Sequence, residues 1–142
     1  LTKTVEDTKK FIQDSMDKAS LEKAADFGIY YKGVLVGVIG YHIIDKTNKK
    51  TTIGYWLDQN YQGKGIMTKA AKMLIEFAFK KLELNRIQIS CAIGNDKSCR
   101  IAERLGFKME GTAREAEWLY DHFVDWKQYS LLKSDWEQKI ES

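Results

Sequence analysis

The sequence predicts a mixed α/β domain built on one sheet, on three grounds. A glycine turn, Gln62-Gly63-Lys64-Gly65-Ile66-Met67-Thr68, separates a β-branched and aromatic run from a long amphipathic stretch. Five further runs have the alternation or the apolar content of strands. Their order after an initial helix, ββ(β)αβαββ, is neither a strict βαβ repeat nor a bundle. No repeat, linker or low-complexity tract divides the 142 residues, a length suited to one domain.

Taken in order, residues Thr4 to Lys23 predict a helix, with Thr4 as N-cap, Asp7 in capping-box position and Val5, Phe11, Ile12, Met16 and Leu21 as its apolar stripe. Phe27 to Tyr31 and Val34 to Ile44 are strands joined by the hairpin signal Lys32-Gly33. The second is apolar at nearly every position and is expected to be central and covered on both faces. Thr51 to Asp58 follows as a strand ended by Asp58-Gln59-Asn60. After the glycine turn, Ile66, Met67, Ala70, Ala71, Leu74, Phe77 and Ala78 recur at helical spacing, and the helix is expected to reach about Leu82. Asn85 to Ile93 alternates, with Ile87, Ile89, Cys91 and Ile93 on one face. A short helix from about Asp96 to Leu105 closes with Gly106 at C′. Phe107 to Trp118 and His122 to Leu132 form a terminal hairpin around Tyr120-Asp121.

Composition removes several classes. With 44% hydrophobic and 12% aromatic residues the chain is globular, and it has no apolar run long enough to cross a bilayer and no signal-peptide pattern. A net charge of +3, from 23 basic and 20 acidic residues, is too slight a bias for nucleic acid. Two cysteines, Cys91 and Cys99, with His42 and His122, fit neither a disulfide framework nor a zinc site, and a reducing, cytoplasmic setting is expected. Placement of charge says more, because Lys64, Lys69, Lys72, Lys97 and Arg100 flank the glycine turn or the next helix start. The chain opens on Leu1, so an incomplete N-terminus is expected.

A helix that begins in a glycine turn leaves its first amide N–H groups unpaired and aimed at one spot, with the positive end of the helix dipole behind them. Phosphate is the usual occupant. A P-loop would need Lys-Ser or Lys-Thr after the second glycine, and here the lysine lies between the glycines. A dinucleotide fingerprint would need a third glycine where Thr68 stands, and the acidic candidate, Glu83, follows a helix directly rather than ending a strand. A plain strand-to-helix turn without a ligand stays open as an alternative.

Gln62-Gly63-Lys64-Gly65-Ile66-Met67 resembles the acyl-CoA pyrophosphate loop of the GNAT acetyltransferases, Arg/Gln-x-x-Gly-x-Gly/Ala, departing at Met67 alone. Asn95-Asp96-Lys97-Ser98 with Ala102-Glu103-Arg104-Leu105-Gly106-Phe107 resembles the Asn-x-x-Ser/Ala … Leu-Gly-Phe segment of the same enzymes. Within that superfamily the Gly-Lys-Gly-Ile-Met-Thr run, Asn85-Arg86-Ile87 and Glu115-Ala116-Glu117-Trp118-Leu119 most resemble the RimJ/RimL type, over about residues 27 to 135. The resemblance implies a GNAT fold whose first strand is missing here, forming one domain over residues 1–142. It implies acetyl-CoA as cosubstrate without a metal, and a protein N-terminal α-amine, of ribosomal-protein type, as acceptor.

The implied cofactor-binding residues are Tyr55, Trp56, Leu57, Gln62, Gly63, Lys64, Gly65, Ile66, Met67, Thr68, Asn95, Ser98 and Arg100. A pantetheine arm would pair with strand edges left open between the run at 52–58 and the next strand. Asn95 serves equally well as helix N-cap. The tyrosine that family members commonly use as general acid is replaced by Ala102, and the resemblance to RimL-like enzymes carries two catalytic roles: Glu117 as base and Ser98 as proton donor to the thiolate. Backbone N–H groups around Leu57 would stabilise the oxyanion. Glu117 shares strand parity with Phe107, Met109 and Ala113, so without a bulge it faces the core; pairing with Arg114 is its structural alternative, and ordinary helix-start bonding is that of Ser98.

Two other functions stay open. A small amine, such as a polyamine or an aminoglycoside, could replace the protein acceptor, with Glu110, Glu115, Glu117, Asp121 and Asp125 forming an acidic groove. A non-catalytic acyl-CoA-binding module would account for Ala102. Trp118, Trp126 and Trp136 suit a homodimer contact as well as a core.

Overall fold

The computed structural model describes residues 25–141, so the helix expected over residues 4–23 and the question of an earlier strand lie outside the described residues. The chain forms β1 (Ala25–Tyr31), β2 (Val34–Asp45), β3 (Lys50–Leu57), a 3₁₀ turn (Gln59–Tyr61), α1 (Ile66–Lys80), β4 (Arg86–Ala92), α2 (Asp96–Arg104), β5 (Lys108–Leu119), β6 (His122–Leu132) and α3 (Lys133–Glu141). One six-stranded sheet runs in the order β1-β2-β3-β4-β6-β5. Every neighbouring pair is antiparallel except β3 with β4. Local chemistry sets the turns: Lys32 and Gly33 both have positive φ (52° and 81°), the two-residue hairpin geometry that matches strand twist.

The core lies between one face of the sheet and α1. Ile39, Tyr41, Ile53, Ile87, Ile89, Tyr129 and Leu131 are buried on that face, opposite Leu74, Ala78 and Phe79 of α1. Tyr41 belongs there because its hydroxyl reaches the Leu74 carbonyl at 2.6 Å, which satisfies a buried polar group. Cys91 and Cys99 join the end of β4 to α2 on the same face, and Trp136 of α3 lies against Phe79 with ring centroids 5.2 Å apart. At the end of α2, Phe107 N–H donates to Ala102 O and Gly106 N–H to Glu103 O, the paired bonds of a Schellman cap, with Gly106 at φ 88°.

Two expectations are corrected here. β2 lies inside the sheet but is not covered on both faces, since Val38 and Ile43 are exposed among the described residues. The cysteines are joined: Cys91 and Cys99 form a disulfide with Cα atoms 5.8 Å apart. A count of two cysteines speaks only to frameworks, whereas the tight turn at Gly94 (φ 101°) brings the last core-facing position of β4 under the first turn of α2. No helix among the described residues is long and apolar enough to cross a membrane.

Candidate functional site

The glycine turn builds the site. Gly63 and Gly65 adopt φ 81° and 75°, a region costly for other residues, and a Cβ at either would meet nothing within 4 Å. The first bond of α1 runs from Lys69 N–H to Gly65 O at 3.1 Å. The N–H groups of Ile66, Met67 and Thr68 therefore have no acceptor within the helix. Gly65 supplies no side-chain cap, and the first turn carries no acidic residue. Gln62 also holds the turn in place: its Nε2 donates to Leu57 O at 3.2 Å and pins the turn to the end of β3.

Beside this turn the sheet opens. β3 and β4 pair only through Lys50↔Arg86, Thr51↔Ile87 and Thr52↔Gln88, although β3 runs on to Leu57 and β4 to Ala92. Asp58 N–H bonds back to Val36 O at 2.7 Å, and antiparallel alternation then turns the N–H groups of Leu57 and Tyr55 away from β2 toward the gap. The first turn of α2 sits at this opening. Asn95 caps it, accepting from Ser98 N–H at 3.4 Å, as the N-cap alternative anticipated. Tyr55 Oη donates to Ser98 O at 2.7 Å, and burial pushes the Tyr55 phenol well above its ordinary pKa.

A cavity of about 490 Å³ joins these parts. Tyr55, Trp56 and Leu57 line it from β3; Gln62, Gly63, Gly65, Ile66, Met67 and Thr68 from the turn and α1; Asn95, Ser98 and Arg100 from α2. Lys64 alone of the expected cofactor residues does not line it. Its ammonium stands over the rings of Tyr31 at 5.5 Å and Tyr61 at 5.8 Å, where π faces attract a cation. Four lining residues were not assigned to the cofactor from sequence: Gln59, Lys97, Ile101 and Arg104. The i, i+4 spacing of Arg100 and Arg104 on one helix face was the available signal.

Glu117 corrects the parity expectation. Register shifts between Met109 and Gly111 and between Ala113 and Glu117 insert extra residues into β5. Met109 therefore pairs with Tyr129 on the core face and Glu117 with Val124 on the other. There Glu117 is half-buried and accepts from Trp126 Nε1 at 3.3 Å, a neutral partner in place of the anticipated Arg114. It does not line the cavity that Ser98 lines. Of the other acidic residues considered for a groove, Glu110 pairs with Arg86, Asp121 with His122, and Asp125 accepts from Glu115 N–H at 2.7 Å. Among the described residues no group of three or more His, Cys, Asp or Glu side chains is placed to hold a metal ion.

Comparison with known proteins places this architecture. Residues 2–108 match the acetyltransferase (GNAT) domain. YdaF of Bacillus subtilis (strain 168), provisionally named a ribosomal N-acetyltransferase, is 46% identical over 110 residues, which is 78% of this chain and 60% of that protein. The ribosomal-protein-serine acetyltransferase of Escherichia coli (strain K12) is 38% identical over 127 residues, 89% of this chain and 71% of the relative. A spermine/spermidine N(1)-acetyltransferase of Bacillus subtilis (strain 168) is 30% identical over 113 residues, 75% of this chain and 72% of that one. Among solved structures, RimL, a ribosomal α-N-protein acetyltransferase in complex with coenzyme A, superposes with a TM-score of 0.77 at 29% identity, covering 92% of this chain and 73% of that one. The microcin C7 self-immunity acetyltransferase in complex with acetyl-CoA and AMP gives 0.74 at 40% identity, covering 87% and 68%. With the open amide turn, the diverging strands and the matched domain in agreement, the chain belongs to the GNAT acetyltransferase family.

Proposed function

We propose that this chain is an acetyl-CoA-dependent N-acetyltransferase domain that acts on a protein N-terminal α-amine, of ribosomal-protein type, by direct transfer. The observation that carries the reading is the set of Ile66, Met67 and Thr68 amides left without helical acceptors beside a gap between β3 and β4. The residues present fit the cosubstrate. Convergent N–H donors with no acid in the first turn suit a diphosphate, and Lys97, Arg100 and Arg104 line the same cavity with positive charge. The open edge of β3 at Tyr55 and Leu57 offers backbone partners to the two amides of a pantetheine arm. Acetyl-CoA supplies the reactive thioester when bound.

The chain's own groups divide the chemistry. Leu57 N–H, turned into the gap, donates to the carbonyl oxygen as it gains charge. Ser98, half-buried on the cavity wall, gives a proton to the departing sulfur. Glu117, on the opposite face of the sheet, takes the proton of the amine directly or through one water, so the acceptor enters from that face. This weak base suffices for an α-amine, of which roughly a tenth is neutral near pH 7, against under about 0.1% of a lysine amine. The names of the Escherichia coli and RimL relatives support the protein acceptor. The spermine/spermidine relative favours the polyamine alternative, but Arg86 neutralises Glu110, one of the carboxylates such a groove would use.

The test is acetylation followed by mass spectrometry. A peptide with a free N-terminal serine should gain one acetyl group, while the same peptide with a blocked N-terminus and an internal lysine should not. Faster turnover of spermidine than of the free peptide would move the assignment to the polyamine acceptor. Absence of transfer to any amine, with CoA bound, would leave a binding module.

A further inference from the structure

We infer that Tyr55 is a positioning residue for acetyl transfer: its hydroxyl holds the first turn of α2 across the mouth of the diverging strands and so sets where the Ser98 hydroxyl stands. The inference rests on the acetyl-transfer reading above. No ladder bond ties the ends of β3 and β4 together, because their pairing stops at Thr52↔Gln88. Two consecutive residues of α2 do this instead. Ser98 O accepts from Tyr55 Oη of β3 at 2.7 Å, and Cys99 is bonded to Cys91 of β4. The helix thus bridges the gap, held to one strand by a hydrogen bond and to the other by a disulfide.

The Tyr55 bond is additional to what the helix needs, since a carbonyl at Ser98 already has the N–H of Ala102 as its regular α-helical partner. Burial keeps the phenol protonated, so Tyr55 donates throughout the working pH range. Its ring and Ser98 line the same cavity, whereas the amides of α1 that face the diphosphate do not depend on it. Loss of the hydroxyl should therefore disturb proton delivery by Ser98 more than cosubstrate binding.

The experiment compares Tyr55→Phe, Ser98→Ala and the double variant by steady-state kinetics, with calorimetry using CoA and thermal melting on each. Tyr55→Phe should lower kcat about tenfold, the order of one lost hydrogen bond, with Kd for CoA within about threefold of the parent. In the Ser98→Ala background the same substitution should cost little more, because its target is gone. 3-Fluorotyrosine at position 55, which keeps the bond and acidifies the phenol, should leave the inflection points of the kcat pH profile in place, whereas a phenol that itself passed the proton would move them, and this readout does not need the Phe variant to fold. Unchanged kcat in Tyr55→Phe, full additivity in the double variant, or a pH profile moved by fluorotyrosine would each overturn the positioning role alone. No binding of CoA by the parent protein would overturn the acetyl-transfer reading together with it.

Discussion

Replacing Gly65 by alanine isolates the backbone geometry on which the cleft depends. The position has φ 75° and open space where a Cβ would go, so no clash contributes and the cost is that of a left-handed conformation alone. That cost is roughly 1–2 kcal/mol for an L-residue, and asparagine, which tolerates this region, should lose less. For a domain of this size the alanine variant should melt about 3–8 °C lower. Any relaxation toward negative φ also turns Ile66, Met67 and Thr68 N–H away from their common point, and one lost hydrogen bond to a charged group is worth about 1.5–3 kcal/mol. CoA affinity should therefore fall about 10- to 100-fold in Gly65→Ala and less in Gly65→Asn. Differential scanning calorimetry and isothermal titration with CoA measure both, with pantetheine, which lacks the diphosphate, as control. Equal effects of alanine and asparagine, or equal weakening of CoA and pantetheine, would refute the reasoning.

Glu117→Gln should lower kcat/KM about 10²- to 10⁴-fold while leaving CoA affinity intact, because Glu117 lies off the cavity; unchanged turnover would remove it from the chemistry. Cys99→Ser opens a loop with a sequence separation of 8 and should cost about 2–3 kcal/mol on the chain-entropy estimate. A denaturant midpoint identical under oxidising and reducing conditions would contradict that tether. The Arg86 guanidinium holds the Glu110 carboxyl down at about 2. Because the folded value is depressed, the contribution is full above the unfolded value of about 4.3 and is lost as pH falls toward about 2. Melting curves of the parent and Glu110→Gln should therefore converge on acidification through that window, modestly, since Glu110 is 43% exposed and water screens the pair; parallel curves would contradict it.

Most of the scaffold is legible in the sequence because its elements are periodic. Alternation at Ile87, Ile89 and Cys91 and the helical stripe from Ile66 to Ala78 state their own faces, and Gly65 and Gly106 mark where helices start and stop. Nearly all the cavity wall follows, since it is made by these same segments. What escapes is geometry that the local pattern does not encode. The single extra residue between Met109 and Gly111 reverses the faces of everything after it in β5, whereas the two extra residues between Ala113 and Glu117 leave parity unchanged, so counting straight through from Phe107 sends Glu117 to the wrong face. The Cys91–Cys99 bond depends on a strand end and a helix start meeting across a turn. α3 was not expected: it is short, and its start is fixed in part by a contact from outside the helix, Leu132 N–H to Asp135 Oδ2 at 3.3 Å. The link from Tyr55 to Ser98 joins residues 43 apart, beyond any local signal.

Amide chemical shifts during a titration with CoA test the central claim most directly. The N–H resonances of Ile66, Met67 and Thr68 should move together and saturate with the binding isotherm, and pantetheine should leave them in place. Saturating CoA with those three resonances unmoved, or stabilisation by ATP or NAD but not by CoA, would contradict it.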